Sequence, residues 1–201
     1  MNRRIWDLYA PIYELVMRSD EKVYKKMYRR IRDVIRNKDV LEIAAGPGSL
    51  AKNVAPMARS MIATDYSPGM IAHAKKGCYT GNLKFEVADA TGLPYWDDTF
   101  DVVIAANVLH LMPEPEMALR EIARVLKKDG VFIAPNFVDH DRGVLSKIWS
   151  FILKLFGIRF RHQWSEKAYK DFLIKNGWKI RGCRLVKARV PIAYVECRAC
   201  S

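Results

Sequence analysis

A short glycine turn follows an apolar run early in the chain. The run is Val40-Leu41-Glu42-Ile43, and the turn continues through Ala44-Ala45-Gly46-Pro47-Gly48. Glycine lacks a Cβ atom, so such a turn bends sharply and allows a ligand to approach its backbone N–H groups. No Gly-Lys-Ser/Thr sequence follows, which excludes a phosphate-binding P-loop. The turn by itself indicates a small-molecule site without identifying the ligand.

Two carboxylates follow two further apolar runs. Asp65 ends Met61-Ile62-Ala63-Thr64, 17 residues after Gly48, and Asp89 follows Leu83–Val87. A carboxylate at the first place can accept both hydrogen bonds of a ribose diol, as in dinucleotide sites, and one at the second can read the amino edge of adenine. Either carboxylate alone is more typical of a helix cap or a solvated loop end. With the glycine turn, the pair predicts a nucleoside site.

These side chains need a scaffold that brings them together, and apolar runs that alternate with helical patterns predict one. Such alternation forms a doubly wound, parallel α/β sheet, in which ligands lie beyond the carboxyl ends of the strands. The last two strands are separated by a few residues and are expected to pair antiparallel. The predicted strands are 40–43, 61–64, 83–87, 101–106, 131–134, 178–185 and 192–197. The predicted helices begin at Leu50, at Pro68 behind a Ser67 cap, at Pro115 with an end at Lys127–Gly130, and behind a Ser165 cap with an end at Gly177.

Several segments together resemble the class I methyltransferases, and the most similar subgroup is the ubiquinone/menaquinone-biosynthesis type. The segments are Leu41–Gly48, Asp65–Ile71, Asp89–Tyr95, Phe100–Val103 and Leu119–Lys127 before Gly130, within a resemblance that covers residues 6–136. The resemblance implies a Rossmann-like fold with a mostly parallel seven-stranded sheet, an antiparallel last strand and helices on both faces. It also implies S-adenosyl-L-methionine as cofactor and S-adenosyl-L-homocysteine as product.

The resemblance distributes the candidate site residues over the parts of that cofactor. They are Gly46 and Gly48 at the methionine part; Asp65 at the ribose; Tyr66 and Met70 beside the adenine; Asp89 and Ala90 at the adenine amine; and Glu42, Ala44 and Asn107 elsewhere around the cofactor. Ala44 departs from the family, which usually has glycine at this position of the turn. Its methyl group narrows the approach to the cofactor.

A nicotinamide-dependent dehydrogenase is the general alternative for a glycine turn in such a sheet. That class normally has a third glycine three residues after Gly48, where this chain has Ala51, although alanine is allowed there. The sequences Asp65-Tyr66-Ser67 and Asp89-Ala90 favour the methyltransferase over the dehydrogenase.

Two further regions are candidates for contact with the reacting groups. Asn107-Val108-Leu109-His110 follows the fourth strand, and in the family this loop faces the methyl group. His110 is a candidate general base, because imidazole titrates near working pH; the alternative is a hydrogen-bonded wall residue. Near the N-terminus, Tyr13 and, more loosely, Tyr9 match an aromatic pair of the family's lid. Aromatics at this spacing also occur in a packing helix.

We predict a single methyltransferase domain over residues 1–201, in four parts. They are an N-terminal helical lid (1–38), a cofactor-binding core (39–136), an apolar and basic cap insertion (137–164), and a C-terminal helix and hairpin that complete the sheet (165–201). The chain has a net charge of +12; residues 1–38 hold 11 basic and 5 acidic side chains, residues 39–136 hold 9 and 12, and the remainder hold 14 and 5. Basic flanks are typical of contact with an anionic membrane or nucleic acid, and also of simple solubility.

The function predicted from these features is methyl transfer from S-adenosylmethionine to a small, apolar, quinone-like or lipid-like acceptor. The apolar segment Leu145–Phe160, with interspersed cations, favours such an acceptor and peripheral contact with an anionic membrane. Two alternatives remain: an RNA or protein methyltransferase that uses the basic flanks, and a non-catalytic cofactor-binding module. No RNA-binding signature is present, so nucleic acid is the less favoured partner. A cytoplasmic protein is expected, because the N-terminus has no apolar signal core. No metal site is expected, since Cys197 and Cys200 form one CxxC without a second pair at zinc spacing.

Overall fold

The computed structural model describes residues 21–77, 80–138, 161–188 and 190–200, and every structural statement below concerns these residues. The predicted lid aromatics Tyr9 and Tyr13 and the apolar segment 145–160 lie outside them. Within the described ranges, no helix is both long and apolar enough to cross a bilayer. The same ranges contain no group of three or more His, Cys, Asp or Glu side chains arranged to hold a metal ion.

A mostly parallel sheet forms the centre of the fold. Its strands are β1 (Asp39–Ile43), β2 (Ser60–Asp65), β3 (Leu83–Val87), β4 (Phe100–Ala105), β5 (Leu126–Ile133), β6 (Asn136–Phe137), β7 (Trp178–Val186) and β8 (Ile192–Ala199). β1 lies between β2 and β4, and β3 and β5 extend this parallel part on either side. β8 pairs antiparallel with both β5 and β7. The predicted fold class, with its antiparallel last strand, is confirmed.

Among the described residues there are eight strands where the sequence predicts seven, because the predicted fifth strand continues as a second short strand. β5 ends at Ile133 and β6 begins at Asn136, and both pair with β8 in one continuous register. Ala134, between them, donates its N–H to the carbonyl of Val195 at 2.8 Å. Val138 donates its N–H to the carbonyl of Pro191 at 2.9 Å in the same register. β6 is therefore the continuation of β5.

Helices cover both faces of the sheet, as predicted. They are α1 (Glu21–Ile35), α2 (Ser49–Val54), α3 (Pro68–Lys75), α4 (Pro115–Val125) and α5 (Glu166–Lys175). α1, α2 and α3 bury their apolar side chains on one face, and α4 and α5 bury theirs on the other. In α1 the buried positions Met27, Ile31 and Ile35 recur every four residues, which places them on one side of the helix.

The local helix signals are partly right. Ser67 and Ser165 cap α3 and α5 through their side-chain oxygens, as predicted. The expectation that Lys127–Gly130 end a helix is wrong, because α4 ends at Val125 and these residues belong to β5. The strand bulges there, since its register with β4 shifts across them. Lys127 donates to the Asp101 carboxylate at 2.8 Å, a contact with the neighbouring strand that a local reading cannot anticipate.

Candidate functional site

The turn after β1 is built from left-handed backbone. Ala44, Gly46 and Gly48 have φ angles of 51°, 56° and 77°, a region that costs a residue with a Cβ atom roughly 1–2 kcal/mol. A Cβ atom on Gly48 would lie 2.7 Å from the Phe85 ring, whereas one on Gly46 would have no atom within 4 Å. Gly48 is therefore required by packing against β3, and Gly46 faces open space.

Asp65 joins the turn to the next helix. Its carboxylate accepts a hydrogen bond from the N–H of Gly46 at 2.8 Å and another from the N–H of Ser67 at 2.9 Å. Ser67 in turn accepts the N–H of Met70 at 3.0 Å and thereby caps α3. The carboxylate that ends β2 thus holds the glycine turn and the start of α3 in place around itself.

The loop after β3 carries Asp89 and is fastened from two sides. Asp89 accepts hydrogen bonds from the N–H and the hydroxyl of Thr91, at 2.9 and 2.7 Å. Further along the loop, Leu93 donates its N–H to Glu121 at 2.7 Å and accepts from Arg124 at 2.9 Å. Because Glu121 and Arg124 belong to α4, that helix sets the position of the loop relative to the sheet.

These elements enclose a cavity of about 340 Å³ beyond the carboxyl ends of the parallel strands, within the size range of small-molecule sites. Eight predicted site residues line it: Ala44, Gly46, Asp65, Tyr66, Met70, Asp89, Ala90 and Asn107. The remaining lining residues are Ala88, Thr91, Ala106, Val108, Leu111, Met112, Pro113, Glu114 and Met117. The structure thus brings together residues from four separate loops that the sequence analysis assigned to one site.

Three predicted site residues are described but do not line the cavity, namely Glu42, Gly48 and His110, and Tyr13 lies outside the described residues. Conversely, the sequence analysis missed Leu111, Met112 and Met117. Their signal was available only indirectly, because they follow the fourth strand at the edge where ligands of such sheets lie. An apolar residue at such a place is indistinguishable in sequence from a core residue.

Glu42 is a buried carboxyl below the turn. It is 2% exposed, and its Oε2 has no hydrogen-bond partner among the described residues. Its pKa is raised to about 8. Burial is the main cause and the nearby Asp65 carboxylate contributes, while the hydrogen bond from the N–H of Ala51 opposes the shift. Glu42 is therefore mainly protonated at pH 7 in the folded protein.

Asn107 combines backbone strain with a buried polar atom. Its φ is 52°, and its N–H donates to the carbonyl of Pro135 at 2.7 Å. Its side-chain Oδ1 is buried and has no partner among the described residues, although Asn107 lines the cavity. Left-handed asparagines and unpaired buried oxygens concentrate at functional sites.

His110 is held as a neutral imidazole behind the cavity wall. It is 1% exposed, and its Nδ1–H donates to Asn136 Oδ1 at 2.8 Å. The Asn136 amide is itself oriented by donating Nδ2–H to the carbonyl of Phe137. The pKa of His110 is lowered to about 4. Burial is the main cause and nearby His162 contributes, while the hydrogen bond to Asn136 opposes the shift. The backbone carbonyl of His110 accepts the N–H groups of Arg161 and His162, at 3.0 and 3.2 Å.

Among the described residues, the charged side chains that line the cavity have one sign. Its ionisable lining residues, apart from the tyrosine, are Asp65, Asp89 and Glu114, all of them carboxylic acids. Such a lining attracts a cationic ligand and opposes the pyrophosphate of a dinucleotide. It fits the sulfonium and ammonium groups of S-adenosylmethionine, and the open space above Gly46 leaves room for a ligand to approach the turn.

Comparison with known proteins shows which proteins resemble this chain. A model described as "Methyltransferase domain" matches residues 41–134. Residues 41–134, slightly less than half of the chain, are therefore similar to a methyltransferase domain. Among curated proteins, the ubiquinone/menaquinone biosynthesis C-methyltransferase of Rickettsia peacockii (strain Rustic) is 34% identical to the chain over 125 residues, which are 57% of this chain and 50% of that protein. The chain spans about half the length of the curated relatives that it matches.

Solved structures share the fold over nearly the whole chain. A complex of the Haloferax volcanii Trm112 methyltransferase activator with a methyltransferase matches with a TM-score of 0.82 and 20% identity, covering 100% of this chain and 98% of that one. A Thermotoga maritima S-adenosylmethionine-dependent methyltransferase matches with a TM-score of 0.77 and 18% identity, covering 98% and 99%. A complex of DhpI with S-adenosylhomocysteine matches with a TM-score of 0.71 and 23% identity, covering 97% and 93%. These structures share the fold of this chain, and two of them are described as an S-adenosylmethionine-dependent methyltransferase and as a complex with S-adenosylhomocysteine.

Proposed function

We propose that the protein transfers the methyl group of S-adenosylmethionine to a small, apolar, quinone-like or lipid-like acceptor. The observation that carries the proposal is the cavity itself, which combines the β1 turn and the carboxylates after β2 and β3 with mainly apolar side chains beyond β4, where Glu114 is the one carboxylate among the described lining residues. We call the first the cofactor end (Ala44, Gly46, Asp65 and Asp89) and the second the acceptor end (Val108, Leu111, Met112 and Met117). The Rickettsia relative is named for ubiquinone/menaquinone biosynthesis, which supports a quinone-like acceptor.

At the cofactor end, the proposed roles follow the chemistry of each group. The carboxylate of Asp65 binds the ribose hydroxyls, and Gly46 allows the methionine part to approach the backbone. Tyr66 and Met70 flank the adenine, while Asp89, with Ala90, accepts its amine. These roles are supported by the position of all six residues on the cavity wall. Tyr13, in the lid, is proposed to close over the cofactor.

The cofactor supplies a methyl group on a positively charged sulfur, and the protein has to position an acceptor in line with it. The acceptor end offers apolar side chains that bury a hydrophobic ring or chain and exclude water. Asn107 Oδ1 is a buried acceptor for an N–H or O–H group of either ligand. Transfer removes the positive charge from sulfur, which an apolar surrounding favours.

General-base catalysis by His110 stays a prediction, and the geometry favours a positioning role. A base with a pKa near 4 takes up a proton poorly at neutral pH. The ring instead holds Asn136 in place, and the His110 carbonyl holds the backbone of residues 161 and 162 next to the acceptor end. Positioning alone suffices for an acceptor that ionises readily, such as a quinol or a thiol.

Calorimetric titration with S-adenosylmethionine, S-adenosylhomocysteine and NAD tests the cofactor assignment first. We expect the first two compounds to bind and NAD not to bind, since the three carboxylates oppose a pyrophosphate. Transfer of radiolabelled methyl groups to short-chain hydroquinones, phospholipids and thiols then tests the acceptor. If none of the three compounds bound, the proposed function would be wrong.

A non-catalytic cofactor-binding module is the second candidate, and Ala44 is the observation that favours it. Its methyl group lies on the cavity wall at a left-handed position where glycine would be free of strain. The module predicts cofactor binding without methyl transfer to any acceptor. Turnover on a hydroquinone or lipid would exclude it.

A further inference from the structure

One side of the β7–β8 hairpin is exposed and strongly basic. Paired residues of neighbouring strands point to the same side, and Lys179 lies opposite Arg198 while Arg184 lies opposite Tyr194. This is the side of the sheet on which α1 packs, since Tyr194 belongs to the same apolar cluster as the buried residues of α1. Lys179 and Arg184 are nevertheless exposed. The strip of sheet at the outer edge therefore faces solvent beyond α1.

Positive charge on this strip exceeds negative charge. Arg30 of α1 binds Glu196 through two hydrogen bonds of 2.8 and 2.9 Å, and Arg198 lies 3.8 Å from Asp129. Lys179, Arg184 and the exposed Arg181 at the strand irregularity form no ion pair with any other described residue. We call Lys179, Arg181, Arg184 and Arg198 the cationic strip.

Like charges placed directly opposite each other weaken a strand pair. Lys179 and Arg198 are such a pair, at the end of the hairpin where β8 finishes. Hairpin stability therefore does not explain their presence, and an anionic partner would turn the repulsion into attraction.

We propose that the cationic strip docks the protein on an anionic membrane surface. Exposed cations spaced along the outer strand of a sheet suit the negative charge that anionic lipid headgroups spread over a surface. Binding of single-stranded nucleic acid requires exposed aromatic rings on which bases stack. The aromatic residue beside the strip, Tyr194, is 4% exposed and donates its hydroxyl to Glu196.

The amino-acid sequence that follows Val138 has a composition that suits the same partner. Val138 donates its N–H to the carbonyl of Pro191, in the loop of the hairpin, at 2.9 Å. The sequence that continues from Val138 contains the apolar run 145–160 with Lys147, Lys154 and Arg159, a mixture typical of segments that contact a bilayer surface. The proposal rests on the proposed function for its purpose, since an apolar acceptor resides in the membrane.

Vesicle sedimentation of the full chain tests the docking surface. The protein is expected to bind vesicles that contain phosphatidylglycerol, not those of phosphatidylcholine alone, and to dissociate as NaCl is raised. Each cation near such a surface is worth roughly fivefold in partitioning, so Lys179→Gln/Arg181→Gln/Arg184→Gln should weaken binding by about 100-fold.

The matched control is Lys75→Gln/Lys76→Gln/Lys84→Gln, at the opposite edge of the sheet, where all three side chains are exposed. Both triple variants lower the net charge of +12 by the same three units. An equal loss in the control, equal binding to phosphatidylcholine, or absence of vesicle binding would overturn the proposal. So would tighter binding of polyuridylate than of anionic vesicles, if the first triple variant abolished it.

Vesicle binding requires neither cofactor nor acceptor, so its failure is distinguishable from failure of the proposed function. Cofactor affinity in the first triple variant should equal that of the wild type, because none of its three positions lines the cavity. A loss of cofactor binding together with vesicle binding would show that the variant is misfolded. In that case the single variant Lys179→Gln decides, with an expected loss of about fivefold in partitioning and none if the strip is not the docking surface.

Discussion

The cofactor end of the cavity is positioned by hydrogen bonds to the backbone, whereas the acceptor end is formed by apolar side chains. Asp65 alone receives the N–H groups of Gly46 and Ser67, and Asp89 receives two bonds from Thr91. At the other end, Val108, Leu111 and Met112 contribute apolar surface. A directional end recognises one ligand with fixed donors and acceptors, while an apolar end can accept ligands of different shape. The difference explains why the sequence indicates the cofactor better than the acceptor.

The largest expected effect lies in the turn beside the cofactor end, at Gly48. Gly48→Ala places a Cβ atom 2.7 Å from the Phe85 ring at a φ of 77°, and strain with overpacking should cost about 2–4 kcal/mol in the free energy of unfolding. Gly46→Ala is the control, because it shares the left-handed backbone but meets no atom within 4 Å, and should cost about 1–2 kcal/mol. Urea unfolding of both variants measures the difference. Equal losses would mean that packing against β3 does not constrain the turn.

Asp65→Ala should weaken cofactor binding by about 1–3 kcal/mol, the value of a charge-assisted hydrogen bond. Calorimetric titration with S-adenosylhomocysteine measures it. The variant also removes the acceptor of two backbone N–H groups, so its folding has to be checked by circular dichroism. Unchanged affinity in a folded variant would remove Asp65 from the ligand site.

Glu42, below the turn, should make the free energy of unfolding depend on pH. Its pKa rises from 4.5 to about 8 in the folded protein, so between these values the folded state holds a proton that the unfolded chain has released. The stabilisation is complete below about pH 4.5 and is lost as the pH rises towards 8, by roughly 1 kcal/mol per pH unit. Glu42→Gln should flatten this slope in urea unfolding at several pH values, and Glu116→Gln, on the first turn of α4, should not. An unchanged slope in Glu42→Gln would contradict the buried neutral carboxyl.

A change at the acceptor end should spare cofactor binding. Met117 is 36% exposed at the cavity wall, so Met117→Gln is expected to fold normally. Loss of apolar contact should lower kcat/KM for a hydroquinone acceptor by about tenfold, with cofactor affinity within about twofold of the wild type. Met117→Leu, which keeps the apolar contact, should retain most of the activity. Weaker cofactor binding in Met117→Gln would remove the distinction between the two ends.

Ala44→Gly should have the smallest effect. Glycine adopts a φ of 51° without a Cβ penalty but loses more entropy on folding, so the free energy of unfolding should change by less than about 1 kcal/mol. Removing the methyl group from the cavity wall should tighten cofactor binding by about twofold to fivefold, less than 1 kcal/mol. Weaker binding in the variant would show that the methyl group contributes contact rather than obstruction.

The sequence predicted well those features that depend on neighbours in the chain. The apolar runs of β1 to β4, the Ser67 and Ser165 caps and the left-handed glycine turn all arise from residues within a few positions of each other. The local pattern at Lys127–Gly130 predicts a helix end, but the structure has a strand bulge there. The bulge is stabilised by the contact of Lys127 with Asp101, which is 26 residues away and therefore leaves no local signal. Leu111, Met112 and Met117 of the acceptor end were missed because an apolar residue after a strand is indistinguishable in sequence from a core residue.

The sequence by itself determined the class of the domain, the order of its elements and the types of side chain that could meet a nucleoside, because periodicity, turn chemistry and motif spacing are local properties. Only the tertiary structure decided which of those side chains share one cavity. It placed Asp65, Asp89 and Asn107 together from three strand ends, put Gly48 against β3 and enclosed His110 behind the wall. Burial and contact depend on which distant segments pack together, and that also sets the protonation of Glu42 and His110.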